Sequence, residues 1–496
     1  MTETKVRPWL WLALIVAAGA IFRLHDLHQV RWNIDEGFWT YGASMTVRHG
    51  VGWPEGWRQG FLSPLYTRLL VPFFLVFGSS IPVARHVTVA MGLAAVVLTY
   101  VLCLRCGYRT RVALLGALFV SLNGYFAFMN AHAQTDTLLV LLVLAYLLLA
   151  TGRSRPGLLA PVFLALAMAT KLTGVFAAAV VYFHDVFAPR GRSPGRRDWR
   201  SAAIAPAAGI LLGALVFVAM YATHPVDFVR TWQTELSIRR SQSVIGFNPF
   251  AAEGFVRSAA FLWKAMPLTI LLALVALVGM LRERSARHTL PLLWLAFGLA
   301  VVMFQNYQPP RYYLPVIPPL SIMAAWLVDE CLRSKGRRLV RGAGAVAAVL
   351  TCLYGPVTGY AYRAGHRDTT GPDVTRWMDL NLAPDAGVMG ITPYGCSANV
   401  RYYPQDLYAP NTFLDAGRAR ELRIGYVLFD DAEWRACSQR RGSGFESYLR
   451  QHYRFVKRIG TIEIWETGVA GGGSRRPATS RAPAPPRLPP PAPAAA

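Results

Sequence analysis

Apolar runs of roughly bilayer-spanning length recur from residue 8 to residue 358, and this repetition constrains the chain more than any other feature. They lie at about 8–22, 83–104, 112–129, 136–151, 157–170, 172–187, 201–221, 265–281, 290–304, 312–332 and 338–358, with one ambiguous stretch over 61–78. A soluble core has no room for so many continuous apolar segments, whereas a hydrocarbon solvent demands them. Composition agrees: 16% of the residues are charged, against about 25% in soluble domains. Six cysteines in 496 residues are too few for a secreted disulfide scaffold. Ala18-Gly19-Ala20 resembles a small-residue cleavage site. With so many runs following, the first is read as an uncleaved span.

The net charge of +24 would suggest nucleic acid in a soluble protein. Here the basic residues gather in short loops between apolar runs, as the positive-inside rule expects, so nucleic acid is not read as a partner. The loops are Arg105/Arg109/Arg111, Arg153/Arg155, Arg190/Arg192/Arg196/Arg197/Arg200, Arg282/Arg284/Arg287 and Arg333/Lys335/Arg337/Arg338/Arg341. All five face the cytoplasm if 61–78 lies in the interface or re-enters, and if 157–187 is a hairpin of two short spans. That reading has about eleven transmembrane helices, with the N-terminus inside and the C-terminus outside.

The first arm of the hairpin, 157–170, is about 21 Å long as a helix, short of the roughly 30 Å hydrocarbon core. Its turn, Thr170-Lys171-Leu172-Thr173-Gly174, therefore sits slightly below the outer surface. An ammonium there is costly unless paired. Two readings of Lys171 stand: a snorkelling anchor, or a ligand for an anionic head group.

Four stretches outside the membrane fall on one face: 25–60, 130–135, 222–264 and 360 onward. The domain reading is a transmembrane domain over 1–358 with an external loop at 23–82, then a small external α/β domain over 359–467. In the latter the pattern predicts a helix at 373–382 and strands at 387–391, 424–429 and 461–465. Residues 468–496 hold 8 of the 33 prolines and read as a disordered Pro/Ala-rich tail. No internal repeat is evident, which argues against an inverted-repeat transporter.

Chemistry on the external face has few candidates. Asp35 and Glu36 follow the first span within Arg31-Trp32-Asn33-Ile34-Asp35-Glu36-Gly37-Phe38-Trp39. On a helix their side chains diverge by about 100°, so they do not form a proton-sharing dyad. One can face a substrate while the other supports or caps, and a simple solvated acidic pair also fits. Asp136 opens an apolar run, where an acid suits a helix N-terminus. His132, four residues earlier, makes a weak metal pair with it, since no third ligand is spaced nearby. Arg311, in Tyr307-Gln308-Pro309-Pro310-Arg311-Tyr312-Tyr313-Leu314-Pro315, is either a snorkelling arginine or a bidentate phosphate contact. Cys103-Leu104-Arg105-Cys106 lacks the partners of a zinc site. There is no Walker A motif, no dinucleotide fingerprint and no Gly-x-Ser-x-Gly, and neither metal nor cofactor is called for.

The order of these elements resembles polyprenyl-phosphate-sugar-dependent glycosyltransferases of the GT-C superfamily. The branch is the one holding protein O-mannosyltransferases, lipid A aminoarabinose transferases and Rgt-type lipopolysaccharide glycosyltransferases. The resemblance covers residues 9–330. It rests on Asp35-Glu36 after a first span, Ser63-Pro64-Leu65-Tyr66 before an interfacial helix ending at Gly78, and Ala84-Arg85 before the next span. It continues through Asp136, Ala169-Thr170-Lys171-Leu172-Thr173-Gly174 and Pro310-Arg311-Tyr312-Tyr313-Leu314-Pro315. It implies a GT-C-like fold, Asp35 as the catalytic carboxylate with Glu36 beside it, and Asp136 in the same external cavity. It also implies a polyprenyl-phosphate sugar donor whose phosphate meets Lys171 and Arg311. Many relatives carry a basic residue or His and two prolines before the leucine at 62–65; here the run is Leu62-Ser63-Pro64-Leu65, and Arg58 or Arg68 stands in.

The expected reaction is inverting transfer of the sugar to a hydroxyl of a glycan, lipid or protein. A carboxylate accepting the hydroxyl proton contributes about 10²–10⁴-fold, and cations offset the charge on the leaving phosphate. The competing reading is a transporter or lipid-linked-sugar flippase, which predicts ionisable residues buried mid-span. Here the candidates cluster on one face. In the external domain, Cys396 and Cys437 are the two cysteines that an oxidising compartment would allow to pair. The parity argument has a direct test. A reporter active only in the cytoplasm, fused at Thr467, is expected to be silent, and a strong signal would overturn the eleven-span topology.

Overall fold

The computed structural model describes residues 7–30, 32, 34–50, 63–151, 159–187, 199–226, 228–229, 232–233, 252–303, 310–334, 337–383, 386–390, 400–404, 416–421, 423–430 and 444–469. Arg58, Arg153, Arg155, Cys396, Cys437, most of the Arg190–Arg200 loop and the tail from 470 onward lie outside these residues. The chain divides into two compact units, Met1–Thr369 and Thr370–Ala496.

The first unit is helical. It opens with α1 (Pro8–Leu24), α2 (Ile34–His49), α3 (Pro64–Phe77), α4 (Ile81–Arg105), α5 (Thr110–Leu122), α6 (Gly124–Asn130) and α7 (Thr135–Ala150). There follow α8 (Leu159–Thr170), a 3₁₀ turn Leu172–Val175, α9 (Phe176–Phe187), α10 (Trp199–Thr223), α11 (Ala252–Ala265), α12 (Pro267–Glu283) and α13 (Ala286–Met303). A 3₁₀ turn Pro310–Val316 leads into α14 (Ile317–Arg333), and α15 (Arg338–Ala364) closes the unit. Among the described residues five helical stretches are long and apolar enough to cross a membrane: 81–105, 202–223, 286–303, 310–333 and 338–364. Two bent pairs, α5 with α6 and α11 with α12, pass the same test together, and five shorter helices are apolar.

The bends have local causes. The apolar run at 112–129 is continuous in sequence but breaks by 59° at Asn123, whose side-chain oxygen accepts from Phe126 N at 2.8 Å and so starts a new helix. The 115° bend after α11 falls at Met266, whose backbone is non-helical, with Pro267 at the first helical position of α12. Between α8 and α9 the chain turns tightly at Gly174, where a Cβ would stand 2.8 Å from the Ala167 carbonyl. The last helix runs past the apolar stretch to Ala364.

Lipid offers no hydrophobic drive between helices, so close packing depends on small residues. Two Gly-x-x-x-Gly pairs supply it. Gly209 and Gly213 let α10 approach α8, where Cβ atoms would stand 2.6 Å from Leu164 and 2.9 Å from Met168. Gly355 and Gly359 bring α15 against the α5–α6 break: a Cβ on Gly355 would collide with the Leu122 carbonyl, and one on Gly359 would lie 3.0 Å from the Gly124 Cα.

The second unit holds α16 (Thr370–Asn381), β1 (Gly387–Gly390), β2 (Arg401–Pro404), α17 (Ala416–Glu421), β3 (Ile424–Asp430), α18 (Gly444–His452), β4 (Arg454–Ile459) and β5 (Ile462–Glu466). The strands form one mixed sheet in the order β2-β1-β3-β5-β4. β1 pairs parallel with β2 and β3, while β5 pairs antiparallel with β3 and β4. Val427, Phe429, Leu449 and Trp465 pack in its core. Gly355→Val places three heavy atoms where α15 meets a backbone carbonyl and is expected to cost about 1–3 kcal/mol or more. A fall in the thermal unfolding midpoint in detergent would show it.

Candidate active site

Three carboxylates stand in the first turns of two helices. Asp35 and Glu36 begin α2, and Asp136 begins α7, where the amide dipoles favour negative charge. The adjacent acids part company as their helical spacing requires. Asp35 is about a quarter exposed and accepts from Arg311, with Oδ2 2.9 Å from Nη1. Glu36 is fully buried.

Glu36 is held by a fork. Arg85 Nε donates to its Oε1 and Nη2 to its Oε2, both at 2.8 Å, and the Ala133 amide donates to Oε1 at 2.7 Å. The remaining Arg85 nitrogen donates to the carbonyls of Leu27 at 2.7 Å and Val30 at 3.0 Å. One buried ion pair therefore joins α2, α4, the 25–30 loop and the 130–135 turn. That loop is secured again by Arg363, which donates to the His25 and Arg23 carbonyls. The turn is secured by Arg23, whose Nε donates to Asn130 Oδ1 at 3.1 Å.

Asp136 lies three residues beyond the clamped amide of Ala133. It is nearly buried, and both its oxygens face cations: Lys171 Nζ is 2.6 Å from Oδ1, and Arg311 Nε is 3.8 Å from Oδ2. Lys171 also sits 4.0 Å above the Tyr312 ring. The result is a chain of alternating charge, Asp35–Arg311–Asp136–Lys171, assembled from four separate elements. Its cations come from sharp turns: Lys171 from the tip between α8 and the 3₁₀ turn, Arg311 from a 3₁₀ segment bracketed by Pro310 and Pro315. Ser63 donates to the Thr170 carbonyl at 2.6 Å, next to Lys171.

Beside this chain a narrow cleft opens, lined at its polar end by Asp136, Lys171, Thr173 and Tyr312 and elsewhere by Leu139, Phe176, Val301, Val302 and Pro315. His132 takes no part with Asp136: its Nδ1 meets the Phe128 carbonyl at 3.1 Å, and burial pushes the imidazole down to about 4. Among the described residues no group of three His, Cys, Asp or Glu could hold a metal ion. Arg68 lies exposed on α3, and Arg58 is outside the described residues. Of the residues singled out in the sequence, Asp35, Asp136, Lys171 and Arg311 meet, while Glu36 is engaged with Arg85. The clamp role of Arg85 was not read from the sequence, though Ala84-Arg85 was conspicuous there. Tyr312 was visible only as an aromatic next to Arg311.

A family model described as Glycosyltransferase family 87 matches residues 63–305, taking in Asp136 and Lys171. No curated protein matches the chain. Among solved structures, ArnT from Cupriavidus metallidurans bound to undecaprenyl phosphate superposes with a TM-score of 0.65 at 15% identity, covering 94% of this chain and 99% of that one. The Archaeoglobus fulgidus oligosaccharyltransferase in the apo form gives 0.62 at 12% identity, covering 94% and 75%. AglB from the same organism, in complex with an inhibitory peptide and a dolichol-phosphate, gives 0.60 at 12% identity over the same shares. The shared fold and the family match bear out the resemblance to GT-C superfamily glycosyltransferases.

Removing one partner of a buried pair strands the other charge and typically costs about 3–5 kcal/mol. Arg85→Met is therefore expected to destabilise strongly, and Glu36→Gln/Arg85→Met to recover part of the loss. Thermal unfolding of the two single variants and the double variant measures this. Near-additive losses would show that the pair does not act as a unit.

Proposed function

We propose that this GT-C membrane glycosyltransferase moves a sugar from a polyprenyl-phosphate-linked donor to a hydroxyl of a glycan, lipid or protein acceptor, outside the cytoplasm, with inversion. One observation carries the reading: Asp136 and Lys171 form the polar end of an apolar cleft, and Arg311 and Asp35 continue the same chain of charges. Such a cleft suits a ligand with an anionic head and a hydrocarbon chain. The relatives in fold support the same ligand class, since one binds undecaprenyl phosphate and another a dolichol-phosphate.

In this mechanism Lys171 and Arg311 bind the donor phosphate. Asp35, the more exposed of the two carboxylates, faces the acceptor and takes its hydroxyl proton as the oxygen attacks the anomeric carbon. The bond from that carbon to the phosphate oxygen breaks, and its electron pair leaves with the phosphate, where the two cations compensate the growing charge. Attack opposite the leaving phosphate inverts the anomeric centre. Glu36 has no free role in proton transfer here, because Arg85 and the Ala133 amide occupy its oxygens. Its work is to orient α2, and with it Asp35.

The topology proposed with this function has eleven crossings. It counts the five long helical stretches, the two bent pairs, and α1, α7, α8 and α9, and it leaves α3 at the interface. The charged chain and the second unit then both face outward.

Asp35→Asn keeps size and hydrogen bonding but removes the proton acceptor. It is expected to insert normally, to bind donor nearly as the wild type does, and to lose about 10²-fold or more in turnover. Lys171→Ala and Arg311→Ala are expected to weaken donor binding more than acceptor binding. Turnover and donor affinity with a panel of polyprenyl-phosphate sugars test both. Full turnover in Asp35→Asn would remove Asp35 as the base, and unchanged donor affinity in both cation variants would reduce them to interface anchors.

A further inference from the structure

The cations that would hold a phosphate are already neutralised from within the protein. Asp136 touches both, with Oδ1 2.6 Å from Lys171 Nζ and Oδ2 3.8 Å from Arg311 Nε. Its side chain is 3% exposed, so water and salt screen its charge poorly. It has little freedom to withdraw, because Ala133, three residues before it, is clamped to Glu36. A phosphate that engages Lys171 and Arg311 therefore competes with Asp136 for the same nitrogens and brings like charge beside it.

The strength of that competition changes along the reaction. A sugar phosphodiester carries one negative charge. Once the sugar has left, the lipid phosphate is a monoester whose second proton is lost at about pH 6, so it approaches two charges above neutrality. Two fixed cations alone would hold this product more tightly than the donor and leave the site occupied by it. The second charge arrives next to a buried carboxylate, however, and the repulsion falls on product more than on donor.

Resting on the polyprenyl-phosphate reading above, we propose that Asp136 is a resident counter-anion that competes with the lipid phosphate for Lys171 and Arg311, and so prevents the doubly charged product from outbinding the donor. This gives Asp136, which faces both cations, a part in product release and in donor-over-product selectivity; Asp35, with Oδ2 2.9 Å from Arg311 Nη1, adds to the competition at that cation.

The test is equilibrium binding of undecaprenyl phosphate, a monoester, and of its methyl ester, a singly charged diester, to the full chain in detergent at pH 8. Wild type is expected to bind the two within about threefold of each other. Asp136→Asn is expected to bind the monoester about tenfold or more tightly than wild type, with a smaller gain for the diester. Asp136→Glu, which keeps the charge, is expected to stay near wild type. A wild-type preference of tenfold or more for the monoester overturns the proposal, even if Asp136→Asn fails to fold. So does a folded Asp136→Asn with no gain for the monoester. If neither ester binds wild type, the donor reading itself falls and this inference with it; binding without the expected charge discrimination removes only the inference.

Discussion

The buried Glu36–Arg85 pair is the interaction on which the arrangement of the candidate site depends. Two charges taken out of water carry a desolvation penalty that a single contact does not recover. Among the described residues Glu36 accepts from Arg85 through both oxygens and from the Ala133 amide, and Arg85 also donates to the carbonyls of Leu27 and Val30. The planar guanidinium suits this, since its donors point in fixed directions and reach several segments at once. The pair does for these loops what a hydrophobic core does for helices. It relates the start of α2 directly to the turn before α7, and so bears on the spacing of Asp35 and Asp136.

The second set of charges has the opposite character. Asp35, Arg311 and Lys171 are each partly exposed, and only Asp136 is nearly buried. Their contacts range from 2.6 to 3.8 Å and form a chain rather than a closed fork. Such a chain is held together without a ligand, yet its cations can exchange partners when an anion arrives. One acidic dipeptide thus supplies both a rigid clamp and an exchangeable contact, because adjacent residues on a helix diverge by about 100°.

The membrane helices place these groups by being short, bent or broken where a polar group is needed. Asn123 ends α5 and starts α6, so the chain reaches the 130–135 turn at a new angle. The tight turn at Gly174 brings α9 back after a twelve-residue α8 and leaves Lys171 at the tip. Helix-breaking residues are tolerated at such depths where the freed backbone groups find partners or line a cavity. The glycine contacts of α10 and α15 supply the close packing that holds these irregular segments together.

Much of this was legible in the sequence because it depends on local pattern. Long apolar runs required a membrane solvent, loop charge suggested sidedness, and short apolar runs marked the positions of β1, β3 and β5. The short run at 157–170 and the glycine at 174 marked a hairpin, and Asp35, Asp136, Lys171 and Arg311 stood out as charges beside apolar or aromatic segments. The break at Asn123 was not legible, because an apolar run looks the same whether its helix is straight or bent. Local pattern did not separate the adjacent carboxylates either: the family resemblance alone implied Asp35 over Glu36. Glu36 became a clamp because Arg85, 49 residues away, and the Ala133 amide, 97 residues away, converge on it. Lys171 found Asp136 across 35 residues in the same way. Sequence determines which residues carry charge and which segments seek lipid. Which charge neutralises which depends on distances through space, and only the packed helices set those.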